Sequence, residues 1–79
     1  MQREKAKWNE RIRILREHRK ISQGEIAGLL QISQRTYSDY ESGRLRIPVT
    51  KLIFLARYYD CSMDYISGVS NVHKPFPLF

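Results

Sequence analysis

The chain contains little of what several classes of protein require. It has one cysteine, Cys61, so no disulfide can form within it, and with two histidines it lacks the ligands of a structural zinc site. No apolar run approaches the length of a membrane span, and the polar N-terminus has no signal-peptide core. Acidic residues are also few, with 8 against 14 lysines and arginines. We therefore expect a reducing, cytoplasmic location, no metal and no cofactor.

Charge and apolar content together describe a small folded domain with surplus positive charge. The 79 residues are 42% hydrophobic, and the formal net charge is +6 at pH 7. No stretch alternates polar and apolar residues as a half-buried strand does, so we predict an all-α fold. A small domain this basic favours a polyanionic partner, with nucleic acid the first candidate. The alternative is a solvated surface that carries extra lysine and arginine.

Two short helices joined by a tight turn are the strongest local signal. Ser22 and Ser33 stand where a serine oxygen can accept from the N–H groups of a first helical turn. Glu25, three residues after Ser22, completes a capping box, and Gly43 closes the second helix of the pair. The predicted helices cover residues 23–30 and 34–42. Two capped helices with so short a linker must cross steeply, which is the geometry of a DNA-reading helix-turn-helix.

Three further helices surround this pair. Apolar residues at helical spacing predict a first helix that ends near Arg19, and its remaining positions are nearly all basic. A fourth helix opens at Pro48, and Ser62 caps a short fifth helix that Gly68 ends. The expected core residues of the first and fourth helices are Trp8, Ile12, Leu15, Val49, Leu52, Ile53, Ala56 and Tyr59.

Several segments, in this order and spacing, resemble one family of bacterial regulators. The start of the second helix (SQGEIA), the end of the third (YESG) and the fifth helix (SMDYISG) are similar to the phage-repressor type of helix-turn-helix domain, the Cro and cI-like family. The resemblance covers about residues 8–68. It implies a five-helix bundle of the lambda-repressor-like DNA-binding type over residues 1–68, usually dimeric, with a C-terminal tail at 69–79.

The resemblance also implies which residues face base edges. They are the two that open the third helix, Gln34 and Arg35, and two that lie one turn later, Ser38 and Asp39. Glutamine can pair with adenine and arginine with guanine, while aspartate can accept from cytosine. Asp39 has an alternative role, because it stands four residues after Arg35 and can orient that side chain instead. Gln34 and Arg35 can also be ordinary solvated surface.

Phosphate contacts are implied at four other positions. In the family, the glutamine that opens the second helix binds a phosphate, and here that residue is Gln23. A helix N-terminus suits an anion, although Gln23 can also be an ordinary helix residue. Basic residues after the third helix, here Arg44 and Arg46, contact the DNA backbone in the family. Tyr40 either donates its hydroxyl to a phosphate or packs in the core, and packing is slightly favoured.

One structural pair matches the family, and the second helix and the turn after it depart from the family. Arg16 and Glu41 match a pair that locks the first helix against the third. Gln31 stands where the family usually has glycine. Either it adopts a left-handed conformation at a cost on the order of 1 kcal/mol, or the turn differs and tilts the third helix. Gly24 and Gly28 weaken the second helix by roughly 1 kcal/mol each relative to alanine.

The leading hypothesis for function is a transcriptional regulator of bacterial or phage origin that binds double-stranded DNA sequence-specifically as a repressor. Phosphate neutralisation would supply affinity, and the third helix would supply specificity. One alternative is the antitoxin of a toxin–antitoxin pair, in which the PFPLF tail masks a toxin. Another is the controller protein of a restriction–modification system. We recognise no catalytic triad, phosphate-binding loop or paired carboxylates, so an enzyme is a poor fit.

A homodimer is expected because one small domain touches few bases, whereas two half-sites about 34 Å apart raise the affinity. Two aromatic residues four apart on the fourth helix can escape its core stripe, and the tail adds apolar surface. The predicted dimer surface consists of Phe54, Tyr58, Phe76, Leu78 and Phe79. The alternatives are a tail that folds back on its own domain and a tail that stays disordered.

Overall fold

The computed structural model describes residues 7–77. Within that range the chain forms five helices and no strand: α1 (Trp8–His18), α2 (Gln23–Leu30), α3 (Gln34–Ser42), α4 (Val49–Tyr58) and α5 (Met63–Ile66). The predicted all-α class and the bounds of the second and third helices are confirmed. None of the helices in the described range is long and apolar enough to cross a membrane.

Serine side chains begin three of these helices, as the sequence predicts. The Oγ atoms of Ser22, Ser33 and Ser62 accept hydrogen bonds from the backbone N–H groups three residues later, at 3.0, 3.1 and 3.1 Å. At α2 the capping box is closed, because the Ser22 N–H donates to Oε1 of Glu25 at 2.9 Å. These caps satisfy donors that a first helical turn leaves unpaired, so each of these helices begins at a defined residue.

A residue with left-handed backbone follows each of the five helices in the described range, and only two of these five residues are glycine. The φ angle is 84° at Gly43, 87° at Gly68, 59° at Lys20, 60° at Gln31 and 52° at Asp60. After the first four helices the next N–H donates back to a carbonyl five residues earlier, over 2.9 to 3.4 Å. The left-handed conformation expected of Gln31 is confirmed, and it confines the turn between α2 and α3 to three residues.

The core is filled from all five helices and from the loop before α4. Three residues predicted for the core are not buried: Val49 is 62% exposed, because it is the first residue of α4 and lies past the edge of the core, and Trp8 and Ile53 are half-buried. Leu55, which the predicted stripe omitted, is completely buried. The buried apolar residues are Ile12, Leu15, Ile26, Ala27, Leu30, Tyr37, Tyr40, Ile47, Leu52, Leu55, Ala56, Tyr59, Cys61 and Ile66.

The tail doubles back onto the domain. Residues 69–77 form no helix, but backbone hydrogen bonds tie them down: the Ser62 N–H donates to the Lys74 carbonyl at 2.8 Å. The Phe76 N–H donates to Oδ1 of Asp60 at 3.1 Å, and the half-buried Phe76 ring packs against the core. Of the two alternatives to a dimeric tail, folding back describes this segment as far as residue 77.

Arg11 is the main side-chain link between the helices and the tail. It is only 5% exposed, unlike most basic residues of α1. Its Nη1 atom donates to the carbonyls of Tyr65 and Ser70 at 3.1 and 3.4 Å, and its Nη2 atom donates to Oδ1 of Asn71 at 3.1 Å. The guanidinium also lies 4.0 Å from the centroid of the Tyr65 ring. Hydrogen bonds and a cation–π contact therefore stabilise this buried charge.

Candidate nucleic-acid interface

One face of α3 is exposed while the opposite face fills the core. Gln34 and Arg35, in the first turn, are exposed, and Ser38 and Asp39, one turn later, are half-buried. Residues three or four apart are neighbours on a helix surface, so Ser38 follows Gln34 and Arg35, and Asp39 follows Arg35, on the exposed side of α3. The cap at Ser33 fixes where that surface begins.

Tyr40 lies on the opposite side of α3 and packs in the core. It is 5% exposed, and its ring meets the Tyr37 ring edge to face, with centroids 6.4 Å apart and planes at 79°. Such edge-to-face pairs stabilise a core beyond the area they bury. The Tyr40 ring therefore packs in the core, and the phosphate contact through its hydroxyl stays a prediction.

The carboxylate of Glu41 joins three helices at one point. Nε of Arg16 on α1 donates to its Oε2 at 2.7 Å, and Nη2 of Arg16 donates to its Oε1 at 3.2 Å. Nε2 of Gln23, the first residue of α2, donates to the same Oε1 at 3.0 Å. In addition, Nδ2 of Asn9 donates to the Glu41 backbone carbonyl at 3.1 Å. The two residues predicted to pair therefore lie together, and Gln23 is held beside them.

The surroundings of Glu41 keep it ionised. Burial by itself raises the pKa of a carboxyl group. Here the hydrogen bonds and the positive charge of Arg16, together with the hydrogen bond from Gln23, outweigh burial and hold the pKa of Glu41 below its ordinary value. The bidentate pair is thus a fixed charge-assisted contact between α1 and α3. It orients α3 relative to the rest of the domain.

Basic side chains continue the exposed surface past the end of α3. Arg44 and Arg46 are exposed, and both lie in the loop that follows Gly43. Nη1 of Arg44 stands 4.0 Å from Oδ1 of Asp39. The ion-pair partner that the structure gives Asp39 is Arg44, whereas the alternative role named Arg35. The reason is that the left-handed turn at Gly43 brings the loop back beside the last turns of α3.

The predicted dimer residues of α4 are exposed together. Phe54 and Tyr58 have 39% and 37% of their surface exposed, and their rings stack with centroids 6.3 Å apart and planes at 9°. The Arg19 guanidinium lies 5.9 Å from the Tyr58 ring. Leu29, 47% exposed, and Phe54 line one shallow cleft between α2 and α4. These four side chains, Arg19, Leu29, Phe54 and Tyr58, form what we call the α4 aromatic surface.

The tail residues of the predicted dimer surface lie elsewhere. Phe76 is half-buried against its own domain, and the Arg57 guanidinium lies 5.1 Å from its ring. Part of the Phe76 ring is therefore covered by its own domain, and its place in a dimer surface stays a prediction. Leu78 and Phe79 fall outside the described residues.

Sequence reasoning missed two residues that matter to this arrangement. Arg11 stands three residues after Trp8 and four before Leu15, which places it on the apolar face of α1. That spacing was the available signal for its burial. The second is Gly24, for which the sequence shows only a low helix propensity. A Cβ atom placed on Gly24 would stand 3.3 Å from Oε1 of Gln34, a contact between two helices that sequence spacing does not show.

A family model described as helix-turn-helix matches residues 12–66, from the middle of α1 to the end of α5. The chain is 36% identical over 66 residues to the uncharacterised HTH-type transcriptional regulator YobD of Bacillus subtilis. That match covers 84% of this chain and 59% of the relative, so the chain spans less than two thirds of the relative's length.

Two solved structures share the fold. A transcriptional regulator from Listeria innocua superposes with a TM-score of 0.75 at 30% identity, over 84% of this chain and 61% of that one. The P22 c2 repressor, solved in complex with a synthetic operator, superposes with a TM-score of 0.69 at 28% identity. That second match covers 77% of this chain and 92% of the repressor chain.

Proposed function

The chain belongs to the helix-turn-helix family, and we propose that it is a transcriptional regulator that binds double-stranded DNA with α3 in the major groove. The family is one of DNA-binding regulators and not a class of enzymes. The observation that carries the proposal is the exposed surface of α3, which begins with Gln34 and Arg35 and is followed, past the other end of the helix, by the exposed basic residues Arg44 and Arg46. A similar fold, the P22 c2 repressor, was solved on operator DNA.

Base reading is assigned to the first turns of α3. Glutamine and arginine make bidentate hydrogen bonds to adenine and guanine respectively in the major groove. Gln34 and Arg35 are exposed and stand on a helix whose other face is locked into the core by Glu41. Ser38 and Asp39, one turn later, extend the same surface. Asp39 is assigned to accept from a cytosine; Arg44 lies 4.0 Å from its Oδ1, and an ionised carboxylate has a second oxygen that can accept as well.

Phosphate binding is assigned to both ends of the exposed surface. Arg44 and Arg46 lie in the loop after α3, and their positive charges contact the phosphates of one stretch of the DNA backbone. Gln23 serves the other end: one N–H of its amide donates to Glu41, and a glutamine amide has a second N–H for a phosphate. The N-terminus of α2 adds backbone donors beside it.

The test of DNA binding is a selection from a random duplex library at low salt. We expect one recurring sequence to be enriched, and its affinity to fall as salt rises with a log–log slope of several units. Failure to bind any duplex at low salt would refute the proposal. Equal affinity for every duplex sequence would mean that the chain binds only phosphates, and it would refute base reading by α3.

We further propose that the chain acts as a repressor and binds as a homodimer through the α4 aromatic surface. The stacked rings of Phe54 and Tyr58 present apolar surface next to Leu29, and burying it against a second copy removes it from water. Two copies then reach half-sites about 34 Å apart on one side of the duplex. The structural similarity of the chain to the P22 c2 repressor supports the proposal that it acts as a repressor.

Sedimentation of the chain and of Phe54→Ser/Tyr58→Ser, with and without the selected duplex, tests the dimer. We expect two copies per duplex for the parent and one for the variant. A reporter placed behind the selected sequence tests repression, with expression expected to fall when the chain is present. Equal assembly of parent and variant would refute the α4 aromatic surface as the interface.

A further inference from the structure

Gly24 lies under the side chain that opens the reading face of α3. Gln34 folds toward the N-terminus of α2, and its carboxamide lies over the Gly24 backbone. A Cβ atom on residue 24 would stand 3.3 Å from Oε1 and 3.9 Å from Cδ of Gln34. The first of these distances is shorter than an ordinary van der Waals contact, so any side chain at this position pushes the carboxamide away.

Helical geometry does not explain why residue 24 is glycine. The residues with positive φ that favour glycine lie elsewhere, at Gly43 and Gly68. Within a helix, glycine costs about 1 kcal/mol relative to alanine, so at Gly24 it carries a cost in stability. Gly28, one turn later in the same helix, carries the same cost, but a Cβ atom there meets nothing within 4 Å. The tightest contact that distinguishes the two glycines of α2 is the one with Gln34, since the other neighbour of a Cβ atom on Gly24, Oγ of Ser22, lies at an ordinary 3.9 Å.

We propose that Gly24 is a positioning residue for Gln34 and thereby a determinant of base preference. This inference rests on the proposed function, because it assumes that Gln34 reads a base. Gly24 itself touches no base. Its lack of a side chain lets the Gln34 carboxamide lie back over α2, which sets the direction from which the amide approaches the base edge.

The chemistry of the amide explains why a small displacement matters. Glutamine recognises adenine with two simultaneous hydrogen bonds, one donated and one accepted. Such bonds keep heavy-atom distances of 2.7 to 3.2 Å and weaken steeply as they bend. A Cβ atom at residue 24 shifts the carboxamide by a few tenths of an ångström or turns it to another rotamer. Either change disturbs both hydrogen bonds to adenine at once, whereas a contact with a phosphate tolerates a displacement of this size.

Gly24→Ala and Gly28→Ala form a matched pair that separates this role from helix stability. Both replace a glycine of α2 with alanine, and both are expected to raise the midpoint of urea unfolding. We measure relative affinities for duplexes that carry each of the four base pairs at every position of the selected sequence. A bidentate pair discriminates between bases by about 5- to 150-fold. We expect Gly24→Ala to reduce the discrimination at one base pair by at least about threefold, and Gly28→Ala to leave every position unchanged.

Gln34→Ala identifies the base pair concerned. It should lose the preference at the same position that Gly24→Ala alters, and in the Gln34→Ala background Gly24→Ala should have no further effect, because the contact is gone. An unchanged profile for Gly24→Ala would overturn the inference, and so would equal changes in the two alanine variants or a change at a position that Gln34 does not affect. A parent chain that enriches no sequence would instead defeat the proposed function itself.

Discussion

Arg16 on α1 and Glu41 on α3 form a bidentate ion pair, with Nε to Oε2 at 2.7 Å and Nη2 to Oε1 at 3.2 Å. Both side chains are largely withdrawn from water, at 12% and 4% exposure. Glu41 lies at the end of the helix that is proposed to read DNA, and Gln23, a proposed phosphate contact, donates to the same carboxylate. One buried group therefore holds the two parts of the proposed interface in a fixed relation.

Removing this carboxylate should destabilise the domain strongly. Glu41→Gln leaves the Arg16 guanidinium buried without its counter-charge, and we expect a loss of about 3 kcal/mol in the free energy of unfolding. The same replacement at Glu17 is the control, because that residue lies 3.9 Å from Arg16 but is 56% exposed. Exposed pairs contribute little, so Glu17→Gln should cost about 0.5 kcal/mol or less. The free energies of unfolding of both variants are measured in urea. Similar losses in the two variants would show that burial of the Arg16–Glu41 pair is unimportant.

Acid should remove the contribution of the same pair. The folded-state pKa of Glu41 is depressed below its ordinary value of 4.5, so the unfolded chain takes up a proton at higher pH than the folded one. The stabilisation is complete above that value and is lost as the pH falls through the folded-state pKa. The free energy of unfolding of the parent should therefore fall below pH 4.5, and Glu41→Gln should fall less steeply. Parallel pH profiles would contradict the depressed pKa.

Local chemistry explains what the sequence could predict. The caps at Ser22 and Ser33 and the stop at Gly43 depend on residues within four positions of one another. For that reason the bounds of α2 and α3 matched the structure. The pairing of Arg16 with Glu41 bridges 25 residues and was anticipated only through resemblance to a family.

Contacts between distant segments account for what the sequence could not predict. Arg11 donates hydrogen bonds to Ser70 and Asn71 in the tail, at sequence separations of 59 and 60. No pattern in the sequence connects the tail to the first helix. Gly24 approaches Gln34 only because the turn between α2 and α3 has a defined shape, which depends on the left-handed Gln31. Neither contact is marked in the sequence by a periodic pattern or a motif. Each follows from where the turns place the helices.

The left-handed turn at Gln31 predicts a stabilising substitution. Its φ and ψ angles are 60° and 42°, a conformation that costs an L-residue about 1–2 kcal/mol but costs glycine almost nothing. Part of that gain is offset by the greater freedom of glycine in the unfolded chain. We expect Gln31→Gly to stabilise the domain by about 0.5–1 kcal/mol. As a control, Arg13→Gly, at an exposed position inside α1, should lower the free energy of unfolding by about 1 kcal/mol. Urea unfolding measures both variants, and a change of the same sign in the two would contradict this explanation.

Truncation should show that the tail belongs to the fold. A chain that ends at Gly68 loses the partners that Ser70 and Asn71 supply to the buried Arg11, together with the packing of Phe76. Hydrogen bonds to a charged group contribute about 1.5–3 kcal/mol, so we expect a loss of about 2 kcal/mol or more. A chain that ends at Pro77 is the matched control and should keep the unfolding midpoint of the parent. Equal stability of all three chains would mean that the tail contacts are incidental.

The central claim, that α3 reads bases while the following loop binds phosphates, is tested most directly by comparing Arg35→Ala with Arg44→Ala. Affinities for every single-base variant of the selected duplex are measured at several salt concentrations. Arg35→Ala should cost about 1–3 kcal/mol and abolish the preference at one base pair. Arg44→Ala should weaken all duplexes about equally and lower the salt slope by about one. If Arg35→Ala kept the full base preference of the parent and lost affinity uniformly, α3 would not be the reading helix.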